Sequence, residues 1–163
     1  MVTLSSIADI QAGINVLPAG EDCGTLVLTM ASLPGVQASG CDASFLYRAK
    51  PDTKLNDTKY HVQALDILLP VRTTPIHLNP TLLPDSFEES HAFGATLLRI
   101  RVDHDKIDPW WLLGYLRSPQ GMKQLLEGSQ STTAQLNLNA KAVARISIPL
   151  PSLAEQAKIS KLL

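Results

Sequence analysis

Twice in close succession a capping side chain is followed by proline, at Asp108-Pro109 and Ser118-Pro119, and no other feature constrains the fold as tightly. Aspartate or serine at an N-cap accepts hydrogen bonds from first-turn amides, and proline at the first helical position gives up an amide that would be unpaired anyway. The pattern predicts two short helices in tandem, WWLLGYLR and QGMKQLLE, the second stopping at Gly128. Just before them Leu98, Ile100 and Val102 alternate with Arg99, Arg101 and Asp103, which predicts a strand with one apolar face and one wet, charged face. A capping box, Ser152-x-x-Glu155, opens a last helix expected to run to the end of the chain, with Leu153, Ile159 and Leu162 on one apolar stripe.

The first half is punctuated less clearly. Ser6 is placed to cap a short helix from Ile7, with Gly13 as its stop. LVLTMA (26 to 31) and KYHVQA (59 to 64) alternate in polarity and read as strands. ILLPV (67 to 71) is a further strand, which Pro70 assigns to an edge or a bulge. Residues 34 to 55, rich in Gly, Pro, Ser and Asp, read as a long loop. Residues 75 to 90 read as irregular, and so does SQSTTAQLNLN after Gly128. ARISIPL (144 to 150) alternates again as a strand.

At 163 residues and 45% apolar content the chain suits one domain with a real core, and no stretch approaches the ~18 apolar residues of a membrane span. The N-terminus has neither a basic n-region nor an apolar h-region, so a soluble, cytoplasmic protein is expected. Cys23 and Cys41 are too few and too far apart for a disulfide framework or a CxxC pair, and read as reduced thiols. His61, His77, His91 and His104 lack any zinc-ligand spacing. Neither a Gly-rich phosphate loop nor a nucleophile elbow occurs. Asp52, Asp57 and Lys59 echo the PD…DxK pattern of metal-dependent nucleases, but so short a spacing suits turn formers better. Asp108-Pro109-Trp110-Trp111 echoes an adenine-methyltransferase motif without its second proline, and helix capping accounts for it.

Fourteen Lys and Arg against fifteen Asp and Glu give a net charge of −1, which argues against strong DNA binding by this chain alone. The charge is unevenly spread. Residues 1 to 42 hold four acids and no Lys or Arg, whereas residues 109 to 163 hold six basic residues against two acids, so one face can still be locally positive.

The order of several scaffold patterns resembles the specificity subunits of type I restriction-modification systems. Leu4-x-x-Ile7-Ala8-Asp9-Ile10-x-x-Gly13 is similar to that family's opening, and Leu65-Asp66-Ile67-Leu68-Leu69 to its central strand. Leu98-Arg99-Ile100-Arg101 and the run from Ile107-Asp108-Pro109 through Leu112, Tyr115, Leu116, Ser118 and Gly121 resemble its strand and helix pair. Ile148-Pro149-Leu150-Pro151-x-Leu153-x-Glu155-Gln156-x-x-Ile159 resembles its boundary between recognition domain and spacer helix. Two departures stand out. Ala64-Leu65 replaces the common Gly before Asp66, and no Gly follows Arg72.

The resemblance implies an α+β fold, a twisted, mostly antiparallel sheet with short flanking helices. It places a DNA target-recognition domain at residues 1–151 and the start of a spacer or dimerisation helix at 152–163. It implies a non-catalytic module that directs a partner adenine methyltransferase, and a restriction subunit, to double-stranded DNA, with S-adenosylmethionine carried by the methyltransferase. Family members carry two such domains joined by long paired helices, where this chain has one. Base-edge chemistry selects candidates from the polar loops: Arg48, Lys50, Lys54, Lys59, Arg72, Thr73 and Thr74 in the first half, and Ser131, Thr132, Thr133 and Gln135 in the second. Leu153, Ile159 and Leu162 are the candidate partner contacts, for a methyltransferase or for self-association. The alternative function is an assembly module that docks a methyltransferase without reading bases, which the near-neutral charge favours; a third is the Mg²⁺-dependent nuclease.

Overall fold

The alternating stretch Leu97–Val102 is the strand on which the rest of the chain is organised. A computed structural model describes residues 1–19, 24–39, 46–87, 91–132 and 135–162, with the backbone alone at 37–39 and 130–132. In chain order the first half holds β1 (Val2–Thr3), β2 (Ala8–Ala12), β3 (Thr25–Leu28), α1 (Leu33–Ser39), β4 (Tyr47–Ala49), β5 (Ile67–Pro70), β6 (Arg72–Thr73) and β7 (Thr81–Leu82). The second half holds β8 (Ala92–Phe93), β9 (Leu97–Val102), α2 (Pro109–Arg117), α3 (Pro119–Glu127), β10 (Gln130–Thr132), β11 (Gln135–Asn137), α4 (Ala140–Ala144), β12 (Ser147–Ile148) and α5 (Leu153–Ser160). The central sheet runs β2-β9-β5-β7, all antiparallel. Smaller sheets, β4-β3-β8 and β10-β11-β6, and the pair β1-β12 surround it. Among the described strands β3 and β8 pair in parallel, and an isolated bridge joins Ile14 and Gly94 in the same sense. This is the expected α+β, mostly antiparallel architecture.

Each face of the central sheet is covered. Leu98, Ile100 and Val102 of β9, with Ile67 and Leu69 of β5, pack against Trp111, Leu112 and Leu116 of α2 and Leu125 of α3. On the other side Leu68 and Leu97 join Leu28, Leu33, Val36 and Phe93. Burial on both faces explains the unbroken apolar run of β5, and it corrects the edge assignment. β5 lies inside the sheet, and Pro70 is tolerated as its last residue, opposite Leu97.

The capped helices form as expected. Asp108 accepts from the Trp111 amide at 2.9 Å and Ser118 from the Gly121 amide at 3.1 Å, while Gly128 caps the end of α3. A Cβ built on Gly121 would lie 2.1 Å from the Tyr115 carbonyl oxygen, so the absence of a side chain there lets α3 turn tightly away from α2. Gly13 has a similar role: a Cβ would lie 2.1 Å from the Gly94 carbonyl oxygen. It marks a close backbone approach, not a helix stop.

Several local expectations give way to longer-range pairing. The expected helix from Ile7 is strand β2, paired through its whole length with β9 from Ala8 opposite Val102 to Ala12 opposite Leu98. Ser6 donates its hydroxyl to the Thr3 carbonyl instead of capping a helix. LVLTMA ends as a strand at Leu28, because Thr29 and Ser32 form a capping box around a 3-10 helix, Met30–Ser32. KYHVQA is not a strand: Asp52 and Asp57 accept from the Lys54 and Lys59 amides and close the 3-10 helices Thr53–Asn56 and Thr58–Tyr60. Within the expected long loop lie α1 and β4, and within the irregular 75 to 90 stretch lie Pro75–His77, a 3-10 helix, and β7. SQSTTAQLNLN contains the β10–β11 hairpin. Only Ser147–Ile148 of ARISIPL is strand, preceded by α4 under an Asn139 cap. Helix α5 closes at Ser160 with Lys161 as C-cap, short of the expected uninterrupted run. Cys23 and Cys41 lie outside the described residues.

The charged face of β9 is not wet. Arg99 is 3% exposed, pairs with Asp9 on β2, and donates to the carbonyls of Lys59 at 3.0 Å and His61 at 2.7 Å. Arg101 grips Asp66 through Nε at 2.9 Å and Nη2 at 2.7 Å, and also donates to the His61 carbonyl. Asp66 is buried and accepts from the Gln63 amide across a turn whose third residue, Leu65, has φ of 64°. Left-handed backbone favours glycine, which gives a physical reason for the glycine that Leu65 replaces.

Removing the Asp66 carboxylate strands the Arg101 guanidinium and the Gln63 amide together. Asp66→Ala is expected to cost about 3–5 kcal/mol, whereas Asp57→Ala, at an exposed pair with Lys59, should cost under about 1 kcal/mol. Denaturant unfolding of both variants checks the contrast, and equal losses would remove the network from its structural role.

Candidate nucleic-acid interface

The polar candidates fall into two groups. In the first, β6 and β11 pair so that Arg72 lies opposite Asn137 and Thr73 opposite Leu136, and β10 adds Thr132 opposite Gln135. Alternation along a strand turns Thr73, Leu136 and Leu138 inward, where they are buried, and leaves Arg72, Gln135 and Asn137 exposed on one face. Strand β6 is held in place by its neighbours: Leu138 donates to the Val71 carbonyl at 2.8 Å, and Val71 to the Thr96 carbonyl at 2.9 Å. The Thr96 hydroxyl also accepts from the Met30 amide at 3.0 Å, which fixes the exit of β3 beside the same sheet.

Of the candidates in this group, Arg72 and Gln135 present free side chains, since no described residue bonds to them. Thr73 is buried, with its hydroxyl turned to the Thr74 carbonyl, and Thr74 shares a 2.6 Å hydrogen bond with His77 Nδ1. Ser131 and Thr132 are placed by backbone alone, and Thr133 lies outside the described residues. Asn137 was missed because it falls in a run that lacked core periodicity. Its alternation with Leu136 and Leu138 was the available signal.

The second group, Arg48, Lys50, Lys54 and Lys59, is exposed on β4 and the turns that follow it. Lys59 is already engaged. It pairs with Asp57 at 3.3 Å and stands 4.8 Å over the Tyr60 ring. The hydrogen bond from the Lys59 amide holds the Asp57 carboxyl below its usual range, and the bond to Asp57 raises the Lys59 ammonium above its own. The two carboxylates of the nuclease echo therefore serve as turn caps. No group of three His, Cys, Asp or Glu side chains able to hold a metal occurs among the described residues.

The three apolar side chains do not form one outward stripe: Leu153 and Ile159, each 45% exposed, flank the buried Gln156, and Leu162, 86% exposed, lies beyond the end of α5. What holds the helix down is polar. Gln156, fully buried, accepts from the Asp108 amide at 2.7 Å and donates to the carbonyls of Lys106 and Pro151, while the Ser160 hydroxyl donates to the Asp108 carboxylate at 2.7 Å. Hydrogen bonds from the Ser152 hydroxyl and amide keep the Glu155 carboxyl below its usual range, which secures the first turn. The sequence motif contained Gln156, but nothing in its polarity announced a buried anchor. No described helix is long and apolar enough to cross a membrane.

Comparison with known proteins agrees with this architecture. The chain is 29% identical over 113 residues to a Methanocaldococcus jannaschii protein assigned as the MjaX specificity subunit of a type I restriction enzyme, a match covering 69% of this chain and 27% of that protein. A chain from a structure of type I R-M complex assembly superposes with a TM-score of 0.65 at 20% identity, covering 99% of this chain and 36% of its own. The HsdS subunit of Thermoanaerobacter tengcongensis superposes at 0.60 with 19% identity, over 99% of this chain and 35% of its own. The chain thus spans about a quarter of the curated relative it matches and about a third of these structures. No protein-family profile matches it. The resemblance to type I specificity subunits holds in sequence and in fold, and the type IIG restriction endonuclease BpuSI shares the fold as well, with a TM-score of 0.60 at 10% identity over 99% of this chain and 26% of its own.

Two variants separate the buried anchor from the exposed apolar side chains near the end of α5. Gln156→Ala leaves buried backbone groups unpaired and should cost about 1–3 kcal/mol. Ile159→Asp combined with Leu162→Asp should change stability by no more than about 0.5 kcal/mol. Thermal and denaturant melts distinguish them, and a collapsed transition in the double variant would assign those side chains to the core.

Proposed function

We propose that residues 1–151 form a non-catalytic DNA target-recognition domain and that α5 begins a docking helix, so that the chain directs a partner adenine methyltransferase, and with it a restriction subunit, to chosen sequences in double-stranded DNA. The observation that carries this reading is the rigid frame beneath an exposed sheet face bearing Arg72, Gln135 and Asn137, the side-chain types that bond guanine and adenine edges. The basic group at Arg48, Lys50 and Lys54 is suited to phosphate contacts, which position without specifying. The candidates Thr74, Ser131, Thr132 and Thr133 neighbour the sheet face in sequence and take the same role. S-adenosylmethionine belongs to the methyltransferase. Leu153, Ile159 and Leu162 supply the docking contacts, for a methyltransferase or a second helix of the same kind.

With net charge −1 the chain alone releases few phosphate counterions. Weak binding to duplex DNA, with little specificity and a shallow salt dependence, is therefore expected of the chain alone, with tight binding once the methyltransferase is present. Titration across ionic strength, with and without a candidate methyltransferase, checks this. Arg72→Ala should weaken the assembled complex by roughly 1–3 kcal/mol while leaving the melting transition unchanged. Tight, specific binding by the chain alone would remove the need for a partner, and an assembled complex indifferent to DNA would favour the pure docking module.

A further inference from the structure

We propose that Arg72 and Asn137 read two neighbouring base pairs in the major groove, Arg72 bonding a guanine and Asn137 an adenine. The inference rests on the DNA-recognition reading and deepens it by naming the bases and the readers. The two residues are direct cross-strand partners on β6 and β11, so their Cβ atoms are roughly 5 Å apart and project from the same face. Successive bases on one strand are spaced ~3.4 Å, which puts adjacent pairs within reach of both side chains. Neither side chain has a hydrogen-bond or ion-pair partner among the described residues. Three other arginines are committed, Arg99 and Arg101 to carboxylates and Arg117 to the Pro80 carbonyl, whereas Arg48 and Arg145, also without side-chain partners among the described residues, lie outside this sheet.

The chemistry divides the two roles. The guanidinium fork donates twice, which fits the acceptor pair O6 and N7 of guanine, while a carboxamide donates once and accepts once, which fits N7 and N6 of adenine. A three-stranded edge sheet is also slender enough to follow the precedent of β-ribbons that enter the major groove. Beside the pair lies a cleft of about 330 Å³, to which Asn15, Met30, Ala95 and Thr96 contribute. Met30 is 42% exposed there, with its backbone pinned by the Thr96 hydroxyl. Its side chain gives an apolar wall against which the methyl group of the thymine opposite the adenine can pack.

Selection from a random-sequence duplex pool by the chain assembled with a candidate methyltransferase, read by sequencing, tests the assignment. The wild-type chain should enrich a site in which a G·C and an A·T pair adjoin. Arg72→Lys, which keeps the charge and loses the fork, should abolish the G·C preference, a loss of about tenfold or more, with little change in total DNA retained. Asn137→Ala should abolish the A·T preference and spare the G·C one. Unchanged melting transitions show that both variants are folded. If the wild type enriches a site and both variants enrich the same site equally, the assignment is overturned while DNA recognition stands. Should the wild type enrich no sequence, the recognition reading itself falls, and the assignment with it.

Discussion

Two arginines on one strand hold the two halves of the chain together. Arg99 and Arg101 leave β9 on the face opposite the main core and reach Asp9 on β2, Asp66 at the head of β5, and the carbonyls of Lys59 and His61. A guanidinium that is 3% exposed is stable only where its charge and donors are met. Here Asp9 meets the charge and the Lys59 and His61 carbonyls meet one terminal nitrogen, while Arg99 Nε is buried without a partner among the described residues. The turns at 53–60 have few apolar anchors, Leu55 among them, and their position depends on these bonds. The basic side chains that follow β4 are thereby carried on a fixed support.

The same logic separates frame from reader. Buried hydrogen-bond networks recur where short elements must be held without much area: Gln124 of α3 brackets the Ser147 backbone of β12 with bonds of 2.8 and 2.9 Å, and Gln156 ties α5 to the α2 N-cap. With polar anchors holding α5, Leu153 and Ile159 remain about half exposed. The β10-β11-β6 sheet has its apolar side closed by Leu136 and Leu138, and its outer side chains can vary with little effect on the fold. The proposed readers and the core side chains therefore sit on opposite faces of the same strands.

What the sequence disclosed followed from how local the cause was. Asp108, Ser118 and Ser152 cap helices through bonds three residues away, so those helices and the α5 capping box were legible. The frame motifs likewise pointed to the right architecture. Strand β2 was not legible, because its pairing partner β9 lies about ninety residues on and its own spacing of Ile7 and Ile10 mimics a helical turn. Arg99 read as solvent-facing because alternation reports polarity and cannot report that a loop folds over it. Among the candidate readers, Arg72 and Gln135 lie where a ligand can reach them, whereas Thr73 was chosen for its hydroxyl and is turned inward by the strand register. Asn137 shows in the sequence only as a polar residue alternating with Leu136 and Leu138, and its place opposite Arg72 needed the register that the folded chain supplies.

The central claim is that the outer face of the β10-β11-β6 sheet meets DNA while the capped helices do not. Backbone amide NMR of the isotopically labelled chain, titrated with duplex DNA at low ionic strength, addresses it directly. Shift changes concentrated at Arg72 and from Gln135 to Asn137, with α2 and α3 unmoved, are the result this account requires. Changes centred on α2, α3 or α5, with the sheet face silent, would contradict it.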